Sequence, residues 1–292
     1  MPKLSYLLGL TPYETWRLLR LRLPVLRNGP AWTPAELMSS PKHGRGIRFA
    51  ELLLRQEQVV RRQMPWEPLD FADRRVVEIG CGPLAGFGPL AVFLGASMFA
   101  SAEPEWDAEL FFSAPVRDRY LRFFHADLCA AYGPRLDFTQ FIAALRERMR
   151  IHRGGFESAP LEGPADIVLS QSCLEHVFPL DPTVARLAAL QTKQTRFLHL
   201  VDFGNHYPTG NPFDGLYEQP PEDYIARRGK AINLLRAPDV VAAFTQAGIA
   251  ARSIVSRTMK DTYAGKIHPW WRERYEDAAL FTQLALVVGP AA

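Results

Sequence analysis

The chain has 292 residues, enough for one large domain or for one domain with a helical appendage. Apolar residues make up 48% and charged residues 22%, which permits a sizeable packed core and excludes wholesale disorder. The formal net charge of +3 is too small to indicate a nucleic-acid-binding protein, so we expect no nucleic-acid partner.

The basic excess lies in the first quarter of the chain. Residues 1–70 carry 11 Lys/Arg and 6 Asp/Glu, a balance of +5, whereas the remainder balances at −2. This region is either the solvated face of two helices or a surface for an anionic substrate, an acidic partner or a peripheral membrane contact. No segment has the pattern of a signal peptide or a membrane span, and three dispersed cysteines favour a reducing, cytoplasmic setting.

Two helices are predicted before the sequence changes character at Arg74. The first runs over Thr11–Leu23, where Pro24 stops it, and a loop covers residues 27–42. The second runs over Arg48–Gln63, because its apolar residues recur at helical spacing, and Pro65 ends it.

Beyond Arg74, predicted strands alternate with helices. The predicted strands are Arg75–Ile79, Met98–Ala102, Asp166–Ser170, Phe197–Phe203, Ala251–Arg257 and Leu280–Val288. The predicted helices are Pro89–Leu94, Pro182–Leu190 and Asp239–Ala247, with a long polar and helical region up to about Arg153. This alternation predicts an α/β sheet with parallel pairing at its centre and an antiparallel pair at one edge.

A glycine-rich segment follows the first predicted strand. Gly80 and Gly82 permit a tight turn and let a ligand lie against bare backbone, and the next helix points free N–H groups at that ligand. Gly86 falls one residue late for a GxGxxG dinucleotide loop, and Pro83 removes a donor. The segment therefore indicates a nucleoside site more than a pyrophosphate site.

Two carboxylates flank this segment. Glu103, at the end of the second predicted strand, is placed to accept hydrogen bonds from both ribose hydroxyls of a nucleoside. Glu78, two residues before Gly80, disfavours a pyrophosphate but favours a cationic ligand with an amino group and a sulfonium. The alternative for Glu78 is a carboxylate that caps the loop amides.

This spaced set resembles a class I S-adenosylmethionine-dependent methyltransferase over Val76–Val288. The segments that carry the resemblance are Glu78–Gly82, Glu103 and Asp166–Val177. A closer resemblance, in His199–Tyr207 and Asn233–Asp239, is to methyltransferases of bacterial polysaccharide and natural-product gene clusters.

The resemblance implies a fold, a domain division and a cofactor. The implied fold is a Rossmann-like three-layer α/β sandwich with a mostly parallel seven-stranded sheet and an antiparallel edge hairpin. Residues 1–68 are expected to form an N-terminal helical cap over the pocket, and residues 69–292 the domain that binds S-adenosyl-L-methionine. The implied cofactor-binding residues are Glu78, Gly80, Cys81, Gly82, Glu103, Phe156, Glu157, Ser170 and Gln171. Among these, Phe156 and Glu157 contact the adenine, and Ser170 and Gln171 lie beside the sulfur.

Histidines at strand ends are the candidate bases for methyl transfer. Ligands of open α/β sheets bind beyond the carboxyl ends of the strands, which His206 and His176 can reach. We predict His206 or His176 as general base, with Asp202 orienting His206 or binding a substrate hydroxyl. The alternative is a pair of hydrogen-bonded loop histidines. Together with Glu175 these groups are possible metal ligands, but no motif spacing supports a metal and we predict none.

Three further residues are predicted to bind substrate. Asn233 and Arg236 lie at a helix entrance, where they can bind oxygens or an anionic group, and Tyr207 belongs to an aromatic, proline-rich segment that can wall a pocket. The alternatives are an Arg236 that pairs with Asp239 or caps a loop, and an aromatic segment that is an ordered loop. For Trp270–Trp271, a sugar-stacking platform, a dimer contact and core packing stay open.

We therefore expect a methyltransferase that acts on a hydroxyl or amine of a small molecule or glycan in bacterial biosynthesis, as a monomer or homodimer. A nicotinamide-dependent oxidoreductase shares the loop and Glu103, but it leaves Glu78 and Gly86 unexplained and the sequence has no Tyr-x-x-x-Lys. A non-catalytic methyltransferase-like subunit, whose basic N-terminal helices dock a partner, is the second alternative.

Overall fold

The computed structural model describes residues 45–161, 163–206 and 210–290. The predicted helix Thr11–Leu23, the loop 27–42 and Tyr207 lie outside the described residues. The described residues form two compact units. The first unit contains residues 45–55 and Asp70–Leu161, and the second contains Gln56–Leu69 and the described residues from 163 onward.

The first unit holds three strands and most of the helices that surround them. Its elements are the start of α1 (Gly46–Arg61), β1 (Arg75–Ile79), α2 (Gly88–Phe93), β2 (Met98–Ala102), α3 (Ala108–Phe111), α4 (Ala114–Val116), a π-helical segment (Arg117–Leu121), α5 (Arg122–Tyr132), α6 (Phe138–Arg148), β3 (Met149–His152) and a 3₁₀ turn (Phe156–Ser158). Strands β1, β2 and β3 pair in parallel.

The second unit holds four strands. Its elements are the end of α1, β4 (Ile167–Gln171), a 3₁₀ turn (Leu174–His176), α7 (Asp181–Leu190), β5 (Arg196–Asp202), α8 (Pro221–Arg228), α9 (Ala237–Gln246), β6 (Arg252–Thr258), α10 (Pro269–Arg272), α11 (Asp277–Leu280) and β7 (Thr282–Gly289). Strands β4 and β5 are parallel, whereas β7 runs antiparallel to both β5 and β6.

The strands form a seven-stranded sheet in the order β3-β2-β1-β4-β5-β7-β6. Its mostly parallel pairing with an antiparallel pair at one edge confirms the predicted α/β fold class. The parallel strands β1, β2, β4 and β5 are runs of buried residues, as parallel strands covered on both faces require. The structure describes no helix with the length and apolarity needed to cross a membrane.

The sequence predicted β1 and β2 with their observed bounds but did not predict β3. Strand β3 is the four-residue segment Met-Arg-Ile-His, and it follows α6 with no intervening loop. Its only strand-like feature is its pairing with β2, in which Phe99 lies opposite Met149. Pairing with a distant segment leaves no mark in local periodicity, so the prediction assigned these residues to the long helical region.

Candidate functional site

The glycine loop after β1 presents bare backbone to open space. Gly80 and Gly82 have φ values of +68° and +66°, in the left-handed region that glycine adopts without strain. A Cβ atom placed on Gly82 meets no atom of the described residues within 4 Å. The loop therefore has the conformation and the free space that the predicted ligand site requires.

Glu103 lies beside this loop, where β2 ends. Its Oε2 accepts a hydrogen bond of 2.9 Å from the Gly82 N–H, and its Oε1 accepts one of 3.0 Å from the Glu105 N–H. The side chain is partly exposed, so the carboxylate is held in place by backbone donors and still faces solvent. The structure thus brings Glu103 and Gly82 together, as the sequence predicted.

Glu78 lies on β1 and is buried, with only 1% of its surface exposed. Its Oε2 accepts a 2.8 Å hydrogen bond from the Phe87 N–H, at the far end of the glycine loop. Burial is the main cause that raises the pKa of Glu78 to about 8; the hydrogen bond from the Phe87 N–H opposes this rise, and the nearby carboxylate of Glu103 adds to it. Glu78 therefore caps a loop amide, the alternative left open for it.

The other predicted cofactor residues of the first unit differ in exposure. Cys81 is buried, its thiol donates to the Gly82 carbonyl at 3.4 Å, and burial raises the pKa of that thiol. Phe156 is buried and Glu157 exposed, both in the 3₁₀ turn that follows β3. An adenine contact at Phe156 and Glu157 stays a prediction.

Ser170 and His199 form a buried pair between β4 and β5. The Ser170 hydroxyl lies 2.8 Å from His199 Nδ1, and the two residues are in register across the strands. Burial lowers the pKa of His199 to about 3, so the imidazole is neutral at physiological pH. His199 is thus a packed core histidine on β5.

Gln171 ends β4 and contacts a helix that the sequence did not connect with it. Its Oε1 accepts a 2.6 Å hydrogen bond from Nε2 of Gln56, which is buried on α1. Its own Nε2 lies 3.5 Å from the Ser172 hydroxyl. Gln56 is the residue missed here, since nothing local in the sequence relates α1 to the end of β4.

Glu175, His176 and His206 come together in the second unit, and we call them the His–Glu cluster. One nitrogen or oxygen of each residue lies within 4.8 Å of the others. His206 Nε2 is 3.9 Å from Glu175 Oε1, and the two imidazole rings are 4.9 Å apart at their centroids. Both predicted histidines therefore occupy one site, together with a carboxylate.

Glu175 is the carboxylate beside His206, whereas the sequence predicted Asp202 for that place and offered Glu175 only as a possible metal ligand. It is 3% exposed, and burial raises its pKa to about 8, helped by the charge of Asp202. Asp202 reaches the cluster through its backbone N–H, which donates to Glu175 Oε1 at 3.3 Å, while its own Oδ1 accepts from the Gly204 N–H. The adjacency of Glu175 to His176 was the available signal.

Asn233 holds the backbone that carries Glu175. Its Nδ2 donates to the carbonyls of Leu174 and Val177 at 2.7 and 3.0 Å, and its N–H donates to the Glu175 carbonyl at 2.8 Å. These contacts fix the turn on which Glu175 and His176 sit. A contact of Asn233 with substrate stays a prediction.

Arg236 is buried within an aromatic cluster. Its Nη1 donates to the Phe203 carbonyl at 2.8 Å and to the Tyr217 hydroxyl at 3.0 Å, and its guanidinium lies over the rings of Phe203, Tyr217 and Trp271. Its backbone N–H donates to Oδ2 of Asp239, a residue in the first turn of α9. These contacts of Arg236 are thus with the protein itself.

The aromatic segment after β5 is a small core. Its buried members are Phe213, Leu216, Tyr217, Tyr224, Ile232, Leu234, Trp271, Leu280 and Phe281. The indole of Trp271 donates to the Gln219 carbonyl at 2.8 Å. Of the alternatives for Trp270–Trp271, core packing holds for Trp271, while Trp270 lies half-buried under the guanidinium of Arg274.

No protein-family model and no curated protein matches the chain. Its fold is similar to that of solved methyltransferases. An S-adenosylmethionine-dependent methyltransferase from Mesorhizobium loti is 15% identical over 80% of this chain and 96% of its own, with a TM-score of 0.44. A possible histamine N-methyltransferase from Thermotoga maritima is 14% identical over 85% and 91%, with a TM-score of 0.40. The mitomycin 7-O-methyltransferase is 15% identical over 97% and 69%, with a TM-score of 0.40.

Proposed function

We propose that this chain is an S-adenosylmethionine-dependent methyltransferase that acts on a hydroxyl or amine of a small molecule or glycan. The observation that carries the proposal is the pairing of Gly82 with Glu103. Gly82 has a left-handed backbone conformation with open space where a side chain would be. It lies next to the partly exposed carboxylate of Glu103, at the end of the neighbouring strand.

These residues fit a cationic nucleoside. The carboxylate of Glu103 accepts hydrogen bonds from the Gly82 and Glu105 N–H groups, and because a carboxylate offers about four lone pairs, it would also accept from ribose hydroxyls of the nucleoside. The backbone of Gly80 and Gly82 would lie against the amino-acid part of the cofactor. Glu78 shapes the loop from behind, because its carboxylate is buried and bonded to Phe87.

The cofactor, when bound, supplies an electrophilic methyl group on a sulfonium. The protein has to align the acceptor and, for a hydroxyl, to accept its proton. We assign that proton to His206 Nε2, which has Glu175 Oε1 as a neighbouring carboxyl oxygen at 3.9 Å. A neutral amine acceptor needs less help from a base.

The structure changes the argument against an oxidoreductase. Glu78 and Gly86 pack against each other, so a structural contact accounts for both residues. They therefore no longer separate the two enzyme classes, and ligand binding has to do so.

Titration calorimetry of the full chain with S-adenosylhomocysteine, and in parallel with NADH, tests the proposal. We expect one site per chain for S-adenosylhomocysteine and no heat from NADH. A folded chain that gives no heat with S-adenosylhomocysteine, or that prefers NADH, would overturn the assignment.

A further inference from the structure

The His–Glu cluster has a composition that a general base does not need. A base requires one imidazole and one group to orient it, whereas this cluster has two imidazoles and a carboxylate, with one ligand atom of each within 4.8 Å of the others. Two histidines and a carboxylate are a frequent ligand set for divalent transition metals.

Glu175 provides an independent observation. Its side chain is 3% exposed, and among the residues that the structure describes its Oε2 has no hydrogen-bond partner. Leaving a carboxylate oxygen buried without a partner costs free energy, and proteins usually satisfy such atoms. A cation bound between Glu175 and the two histidines would satisfy it.

The hydrogen bond of His176 selects the nitrogen that faces a metal. Its Nδ1 lies 2.6 Å from the Ala231 carbonyl, and since a carbonyl only accepts, Nδ1 carries the proton. In the neutral ring the lone pair is then on Nε2. A ligand histidine whose other nitrogen donates to a backbone carbonyl is the usual arrangement around protein-bound metals.

We propose that Glu175, His176 and His206 bind one divalent transition-metal ion, such as Mn²⁺, Co²⁺ or Zn²⁺. Imidazole nitrogens favour these metals over Mg²⁺, which prefers oxygen ligands. Neighbouring ligands on a metal at about 2.0–2.1 Å stand roughly 3.0–3.4 Å apart. The 3.9 Å between Glu175 Oε1 and His206 Nε2 reaches that range with a small rotation of the exposed His206 side chain.

Three protein ligands leave coordination positions open for an oxygen ligand. If the proposed methyl transfer holds, the metal would lower the pKa of an acceptor hydroxyl bound there, the hydroxyl would release its proton to solvent water, and His206 would be a ligand instead of a base. This consequence rests on the proposed function. Metal binding itself does not depend on the proposed function, so the metal site and the methyl transfer can be refuted separately.

The test is metal binding by the full, tag-free chain after treatment with a chelator. We expect one Co²⁺ per chain with visible d–d absorption, and one Mn²⁺ or Zn²⁺ by calorimetry, all without S-adenosylmethionine. His206→Asn should lower the affinity for each metal at least tenfold, because the substitution removes an imidazole ligand. Asparagine tolerates the backbone at this position, where φ is +54°.

His152→Gln is the matched control, since His152 is a histidine of the first unit and should leave metal affinity unchanged. Circular dichroism confirms folding of each variant, and His176→Gln repeats the test on the second imidazole. A folded chain that binds none of the three metals, or binds them equally after both cluster substitutions, would refute the site. S-adenosylhomocysteine binding by the chelator-treated chain reports on the proposed function separately.

Discussion

The carboxylate of Glu78 packs directly against Gly86. A Cβ atom on Gly86 would stand 2.5 Å from both carboxylate oxygens, and the backbone there has a φ of +46°. The neighbouring Phe87 N–H donates to the same carboxylate at 2.8 Å. Only a residue without a side chain fits at position 86, because the Glu78 carboxylate occupies the space that a Cβ atom would take.

Gly86→Ala should destabilise the fold strongly. The added methyl group forces either the loop or the buried carboxylate to move, and overpacking of this kind costs about 1–3 kcal/mol beyond the left-handed backbone strain. Gly248→Ala is the control, because Gly248 also has a positive φ of +82° but, among the described residues, no atom lies within 4 Å of a Cβ placed on it. Urea unfolding of the two variants measures the difference, and equal losses would contradict the contact with Glu78.

Stability should fall as the pH rises through neutrality because of Glu78. Burial raises the pKa of Glu78 from 4.5 to about 8, so the folded chain keeps a proton that the unfolded chain releases above pH 4.5. The stabilisation is present below pH 4.5 and is lost as the pH rises through about 8. Glu78→Gln keeps an acceptor for Phe87 and should flatten this dependence. The check is urea unfolding from pH 5 to pH 9; identical slopes in both proteins would show that Glu78 titrates normally.

Glu103→Gln should weaken S-adenosylhomocysteine binding by about tenfold to a hundredfold. Hydrogen bonds to a charged group contribute about 1.5–3 kcal/mol, and the substitution removes the charge and one of two acceptor oxygens. Glu109→Gln makes the same change at an exposed residue of the same unit, so its affinity should equal that of the unmodified chain. Calorimetry measures both affinities. An unchanged affinity of Glu103→Gln for S-adenosylhomocysteine would show that Glu103 does not bind this ligand.

Arg236→Met should lower the free energy of unfolding by about 2–3 kcal/mol and leave S-adenosylhomocysteine affinity unchanged. The substitution strips the Phe203 carbonyl and the Tyr217 hydroxyl of a charged donor in a buried place. Arg252→Met, at an exposed position on β6, should cost little. Full stability combined with a raised KM for the methyl acceptor would instead support a substrate role for Arg236.

The sequence predicted much of the sheet because its signals are local. Short buried runs gave β1 and β2 their bounds, and Gly248, with a φ of +82°, follows α9 as a C-terminal glycine should. The carboxylate at the end of β2 was placed correctly beside Gly82 for the same reason, since parallel strands bring their carboxyl ends to one edge.

Tertiary structure alone decided which groups meet. Strand β3 exists through its pairing with β2, His206 has Glu175 as its carboxylate partner, and Gly86 lies against Glu78. Each of these depends on how distant or looped segments pack, and periodicity along a chain contains no information about such contacts. The sequence thus determined most of the strands and the residue types at their ends, while packing determined β3 and which side chains act together.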